Sequence, residues 1–90
     1  MIVLQGFIGV PDSDLEIVQN ELDIHSKLTR DEKGCVTFSV TQDNKNPYKF
    51  NVYEEFESQA AFDYHQSRVQ SFKWGKVTKN AIRNYQIGSA

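Results

Sequence analysis

Cysteine is nearly absent. Cys35 stands alone among 90 residues, so no internal disulfide can form, and a reducing cytoplasmic setting is expected. Long apolar runs are missing too. The apolar opening from Met1 to Val10 is interrupted at Gln5 and has no basic start, so it reads as a buried strand rather than a signal sequence. Nothing approaches the roughly 18 apolar residues that a spanning helix needs, so no membrane association is expected. Histidine occurs only as His25 and His65, and neither falls with Cys35 at a metal-ligand spacing; no metal is expected. With two prolines and five glycines there is no linker, low-complexity segment or repeat, and residues 1–90 read as a single domain. A chain this short buries only about 60–65% of its unfolded surface, which favours completing the core in a homodimer.

Acidic residues are absent from the last 27 positions. Residues 1–63 hold all 12 acids and five of the ten bases, a net −7, whereas residues 64–90 hold Arg68, Lys73, Lys76, Lys79 and Arg83, a net +5. This basic end either complements acidic surface elsewhere in the domain or its partner, or forms a cationic rim that steers an anionic or phenolate-like ligand. No reading helix or stacking platform accompanies it, so nucleic acid is not expected as a partner.

What is present is a readable series of elements. Residues 2–9 form a first strand, followed by a helix over about 13–30 with Asp12 and Ser13 as candidate caps. Its apolar positions are Leu15, Val18, Leu22 and Leu28, with Ile17 and Ile24 widening the face. Gly34 can take positive φ in the polar turn after it. Residues 35–42 alternate, with Val36, Phe38 and Val40 on one side and Cys35, Thr37, Ser39 and Thr41 on the other. The turn-rich Asp43-Asn44-Lys45-Asn46-Pro47 predicts a hairpin to a third strand at 48–56. Ser58 caps a second helix whose inward stripe is Phe62, His65, Val69 and Phe72, ending at Gly75 or Asn80. Residues 81–87 form a fourth strand. The order β-α-β-β-α-β is the ferredoxin-like arrangement, an α+β fold with a four-stranded antiparallel sheet and both helices on one face. Two such sheets pairing by their open faces would make a dimeric α+β barrel.

The third strand sets Glu54 in a row with Phe50, Val52 and Phe56, and the second helix sets His65 in its apolar stripe. A polar cavity facing both elements would explain the pair.

The chain resembles the antibiotic biosynthesis monooxygenase family from Met1 to about Ile87. The matching motifs are Val10-Pro11, Glu32-Lys33-Gly34-Cys35, Asn46-Pro47-Tyr48-Lys49-Phe50 and, most specifically, V-Y-E-E-F-E-S-Q-A-A-F-D-Y-H from Val52 to His65. The resemblance implies a small dimeric α+β barrel. It also implies, in one branch, oxidation of phenols or anthrones by dioxygen without flavin or metal, so no cofactor is expected. Glu54 matches that family's strand-three glutamate and His65 its second-helix histidine. The haem-degrading branch needs an asparagine, a tryptophan and a histidine at positions occupied here by Gly6, His65 and Gly75, which argues against haem breakdown.

His65 is accordingly the candidate general base, with Glu54 as its orienting carboxylate. Both also fit a structural role, as a satisfied buried histidine and a hydrogen-bonded buried carboxylate. Phe38, Phe50, Phe56, Phe62 and Phe72 are core residues first and walls of an aromatic-binding pocket second, Trp74 supplies an indole to hold a substrate ring, and Arg83 faces a partner acid or an anionic substrate. Tyr53, Tyr64 and Tyr85 suit a subunit interface as well as a pocket. Cys35 lacks the context of a nucleophile, and His25 reads as structural. The expected function is cofactor-independent monooxygenation of a small phenolic, anthrone or quinol-like aromatic. Isomerisation or tautomerisation of a small carbonyl compound, or a non-enzymatic ligand-binding dimer, are the alternatives.

Overall fold

The computed structural model describes all 90 residues. Strand β1 (Ile2–Gly9) leads through a 3-10 turn at Asp12–Asp14 into helix α1 (Leu15–Arg30). Strands β2 (Cys35–Gln42) and β3 (Lys49–Phe56) form a hairpin, followed by α2 (Gln59–Ser71), a short α3 (Lys73–Val77) and β4 (Ile82–Ser89). The sheet order is β2-β3-β1-β4 with every neighbouring pair antiparallel, the ferredoxin-like topology expected from the element order.

Period-two alternation sorts the sheet into two faces. Leu4 and Ile8 from β1 and Phe50, Val52 and Phe56 from β3 turn toward the helices and join Val18, Phe62 and Trp74 in one buried core. Phe50 and Phe56 are almost fully buried, each contributing roughly 2–3 kcal/mol of hydrophobic stabilisation. The opposite face, with Val3, Phe7, Tyr53 and Ile82 among polar side chains, is uncovered in the single chain.

The helix ends follow local chemistry. Ser58 caps α2 by accepting from the Ala61 N–H at 3.1 Å, as its position predicted. Gly34 takes φ +92° in the turn after α1. Asp12 and Ser13 provide no side-chain cap; Asp12 instead accepts from the Tyr48 hydroxyl at 3.0 Å, tying the start of α1 to the hairpin.

Three packing expectations are corrected. The inward face of α1 runs Val18, Leu22, His25 and Thr29, while Ile17, Ile24 and Leu28 are exposed. Steps of four, three and four track the helical period, and Leu28 lies one residue, about 100°, off that line. In β2 a bulge between Cys35 and Thr37 pairs Cys35 with the inward Phe56 and throws Val36 out to solvent. Finally, the second helix breaks at Phe72, which takes an extended backbone (φ −102°, ψ 171°) and is 48% exposed rather than part of the inward stripe. The chain re-enters a helical turn at Lys73, and α3 packs tightly on the end of α2: a Cβ at Gly75 would lie 2.0 Å from the Val69 carbonyl oxygen.

Candidate functional site

Glu54 lies on β3 opposite Leu4 of β1 and Phe38 of β2, pointing from the middle of the sheet into the helix layer. It is only 6% exposed, and its Oε1 has no hydrogen-bond partner. Burial pushes its carboxyl from the ordinary 4.5 up to about 7, and the charge of Glu32 acts in the same direction. Near neutral pH this acid therefore exists in both protonation states.

His65 descends from α2 onto Glu54, with Nε2 3.7 Å from Glu54 Oε1. Its other nitrogen is held differently. Nδ1 lies 3.1 Å from Oε2 of Glu32, which comes from the polar turn after α1. The same Glu32 oxygen accepts from Arg68 Nε, and Arg68 Nη2 donates to Thr29 Oγ1 at 2.8 Å. These side chains form one buried chain, Thr29–Arg68–Glu32–His65, tying α1, α2 and the intervening turn together. A carboxylate paired with a guanidinium is an acceptor, so the Nδ1 that faces it carries the proton. That leaves the Nε2 lone pair directed at Glu54. Burial lowers the His65 pKa below the usual 6.5, Glu32 opposes the shift and Arg68 adds to it, so the ring is neutral at physiological pH.

A second histidine completes the cluster. His25 of α1 stacks on Trp74 of α3 with centroids 4.5 Å apart and planes within 4°, and meets Phe38 edge-on at 5.3 Å. Burial, then His65 and Arg68, depress its pKa to about 3, and its Nδ1 is unpartnered.

Glu54, His65 and His25 line a cavity of about 440 Å³ between the sheet and α2–α3. Leu4, Ile8 and Tyr85 form its sheet side, Val69, Gln66 and Gln70 its α2 wall, and Trp74, Gly75, Lys79 and Arg83 complete it. The volume falls in the range of small-molecule sites, and the mix of apolar wall with a few convergent polar groups is the usual make-up of a ligand site.

Of the residues singled out from sequence as site or pocket candidates, Glu54, His65, Trp74, Arg83 and Tyr85 share this cavity. Phe38 and Phe56 stand behind it, with centroids 5.9 and 5.0 Å from His65, and Phe62 packs against Phe56 in the core. Phe72 lies outside, beneath the Arg68 guanidinium at 5.3 Å. Sequence reasoning passed over His25 and Glu32 as site residues, and named Arg68 and Lys79 only within the basic end that either complements acidic surface or steers an anionic ligand. His25 continues the Val18–Leu22 stripe, and Arg68 follows His65 by one helical turn, so spacing could have found both. Glu32 sits in a motif but gave no sign of reaching a helix 33 residues away.

Comparison with known proteins agrees with this architecture. Residues 1–74 match the sequence profile of the family described as antibiotic biosynthesis monooxygenase. No curated protein matches the sequence significantly. Among solved structures, a Nitrosomonas europaea protein provisionally named an antibiotic biosynthesis monooxygenase superposes with a TM-score of 0.83 at 16% identity, over 100% of this chain and 98% of that one. A similarly named Deinococcus radiodurans protein gives 0.77 at 18% identity, over 100% and 92% of the two chains. PA3566 from Pseudomonas aeruginosa gives 0.78 at 22%, over 97% and 88%. At these identities the likeness establishes the fold.

Proposed function

We infer that this chain, which belongs to the antibiotic biosynthesis monooxygenase family, is a cofactor-independent monooxygenase that oxidises a small phenolic, anthrone or quinol-like aromatic with dioxygen. The observation that carries the reading is the placement of an unpartnered Glu54 and the free Nε2 of a neutral His65 on the wall of an aromatic-sized cavity. His65 Nε2 takes the acidic proton of the substrate. Glu32, held by Arg68, keeps the opposite nitrogen protonated and strengthens the ring as a base. Glu54 in its neutral form donates to the substrate oxygen as negative charge develops there. The resulting anion is electron-rich enough to reduce dioxygen; one oxygen atom ends in a new carbonyl and the other leaves as water. Trp74 and the aliphatic side chains Leu4, Ile8 and Val69 hold the ring and exclude bulk water.

The working form is a homodimer in which the uncovered sheet face, with Val3, Phe7, Tyr53 and Ile82, meets its copy to close an α+β barrel. The setting is the cytoplasm, in keeping with the unpaired thiol of Cys35.

Oxygen consumption by metal-stripped protein with anthrones, naphthols and quinols tests this reading. Uptake above substrate autoxidation is expected, reduced at least about tenfold in His65→Ala. Absence of protein-dependent uptake across the panel would remove the oxygenase. A proton shuttle between Glu54 and His65 also suits tautomerisation of a small carbonyl compound, favoured by the near-neutral pKa of Glu54; turnover under anaerobic conditions identifies that chemistry.

A further inference from the structure

We propose that the cavity selects a phenol that also carries a carboxylate or comparable anionic group, its hydroxyl at Glu54 and His65 and its anion at Lys79 and Arg83. This deepens the reading above and rests on it for the assignment of the hydroxyl end.

The argument starts from the five cations that crowd the acid-free C-terminal region. Arg68 is committed to Glu32, and Lys73 lies 3.5 Å from Glu21. Lys79 and Arg83 line the cavity, and neither has a carboxylate within ion-pair distance. Arg83 is nonetheless fixed in place. Its Nη1 donates to the Thr78 carbonyl at 3.1 Å and its Nη2 to Thr78 Oγ1 at 2.7 Å. Thr78 is itself buried and bonded to the Trp74 carbonyl at 2.7 Å, so the guanidinium is anchored to α3 with its charge uncompensated. Such a group meets an anion with little further loss of side-chain freedom.

The deep end has the opposite character. Its titratable groups are Glu54 and two neutral histidines, and the buried cation nearby, Arg68, is already paired. An anion placed there would face Glu54 without a free counter-charge, whereas a hydroxyl can donate to Nε2 or accept from the protonated acid. Tyr85 lies two residues from Arg83 on β4 and lines the same cavity. Burial raises its phenol pKa most, Glu54 adds to that rise, and Arg83 pulls it down. Both ends thus act on one side chain, and the cavity has an electrostatic direction that fixes which way round an amphiphilic aromatic enters.

Anaerobic calorimetric titration at low salt with 6-hydroxy-2-naphthoate, 2-naphthol and 2-naphthoate tests this without any turnover. The hydroxynaphthoate is expected to bind about tenfold more tightly than 2-naphthol, as two partly exposed charge contacts worth a few-fold each would give. Half-molar salt should erase most of that advantage, and the exposed-site change Lys79→Gln should cut it to about a few-fold. Arg83→Gln should do the same, with circular dichroism confirming that the fold persists. Equal affinity of the two naphthols, no binding by any probe, or an advantage that survives both substitutions would overturn the proposal. A charge preference without oxygen uptake would remove the oxygenase and leave this inference standing. Oxygen uptake without a charge preference would do the reverse.

Discussion

Replacing Glu54 with glutamine should make the protein more stable at alkaline pH and leave it unchanged in acid. The folded-state pKa of Glu54 is raised from 4.5 to about 7. A carboxyl so shifted binds its proton more tightly in the native state, so its contribution is fully present below pH 4.5 and is lost as pH rises toward and through 7. A shift of this size corresponds to about 3 kcal/mol, nearly all of it spent between those two values. The acid side carries an opposing slope. His25, depressed from 6.5 to about 3, costs stability as pH falls below 6.5, because the unfolded chain then gains a proton that the folded one refuses. His65, lowered by burial, acts in the same sense. Wild-type stability is therefore comparatively flat through mildly acidic pH, where the opposing slopes offset each other. The difference between Glu54→Gln and wild type removes the shared histidine contribution. It should be near zero at pH 4.5 and reach about 3 kcal/mol in favour of the variant by pH 8. Urea unfolding followed by the emission of Trp74, the sole tryptophan, at fixed protomer concentration gives this difference curve directly. A difference that does not change with pH, or one that favours wild type at pH 8, would refute the burial argument for Glu54.

Three further outcomes follow from the packing. Gly75→Ala should destabilise by about 1–3 kcal/mol in a thermal melt, since the added methyl meets the Val69 carbonyl rather than a movable side chain. Leu28→Ser and Ile24→Ser should each fall within about 0.5 kcal/mol of wild type, because both side chains lie off the buried stripe of α1. Glu32→Gln should cost about 3–5 kcal/mol by leaving the Arg68 guanidinium buried without its counter-charge, and nitrogen-detected NMR should show His65 losing its fixed Nδ1–H tautomer.

The topology was legible because each strand alternates and each turn announces itself: Asp43 to Pro47 between two alternating runs leaves little choice but a hairpin, and Ser58 opens α2 as its chemistry requires. Errors came where apolarity was taken as a proxy for burial. The inward line of α1 includes His25 and Thr29, polar residues whose partners lie on other elements, so a reading that counted only aliphatic positions drifted to Leu28. Val36 was misplaced by a bulge, which alternation alone cannot reveal. Phe72 was misplaced by the break between α2 and α3, one residue past the end of α2. The Glu54 and His65 juxtaposition was readable as two polar residues on facing apolar surfaces. Glu32 as the residue at hydrogen-bond distance from His65 was not, because it depends on how a surface turn folds back over α2.

That turn explains how two carboxylates beside one imidazole come to differ. Arg68 lies close enough to Glu32 to pair with it and also reaches Thr29, so its charge is directed away from Glu54. Glu54 is left with burial and a like charge, and both raise its pKa. The division of labour between the two acids thus depends on the planar, two-ended reach of a guanidinium. Arg68→Lys keeps the charge but supplies a single compact ammonium, which cannot hold Glu32 and Thr29 in the same geometry. In the oxygenase reading this variant should fold, lower kcat by about five- to tenfold, and leave KM nearly unchanged, since Arg68 does not line the cavity. Its pH–rate profile should also move, because the base strength of His65 depends on a well-held Glu32. A loss confined to KM, or a lowered kcat with an unshifted profile, would mean that the Arg68–Glu32 pair supports the fold alone and that His65 is oriented by Glu54 after all.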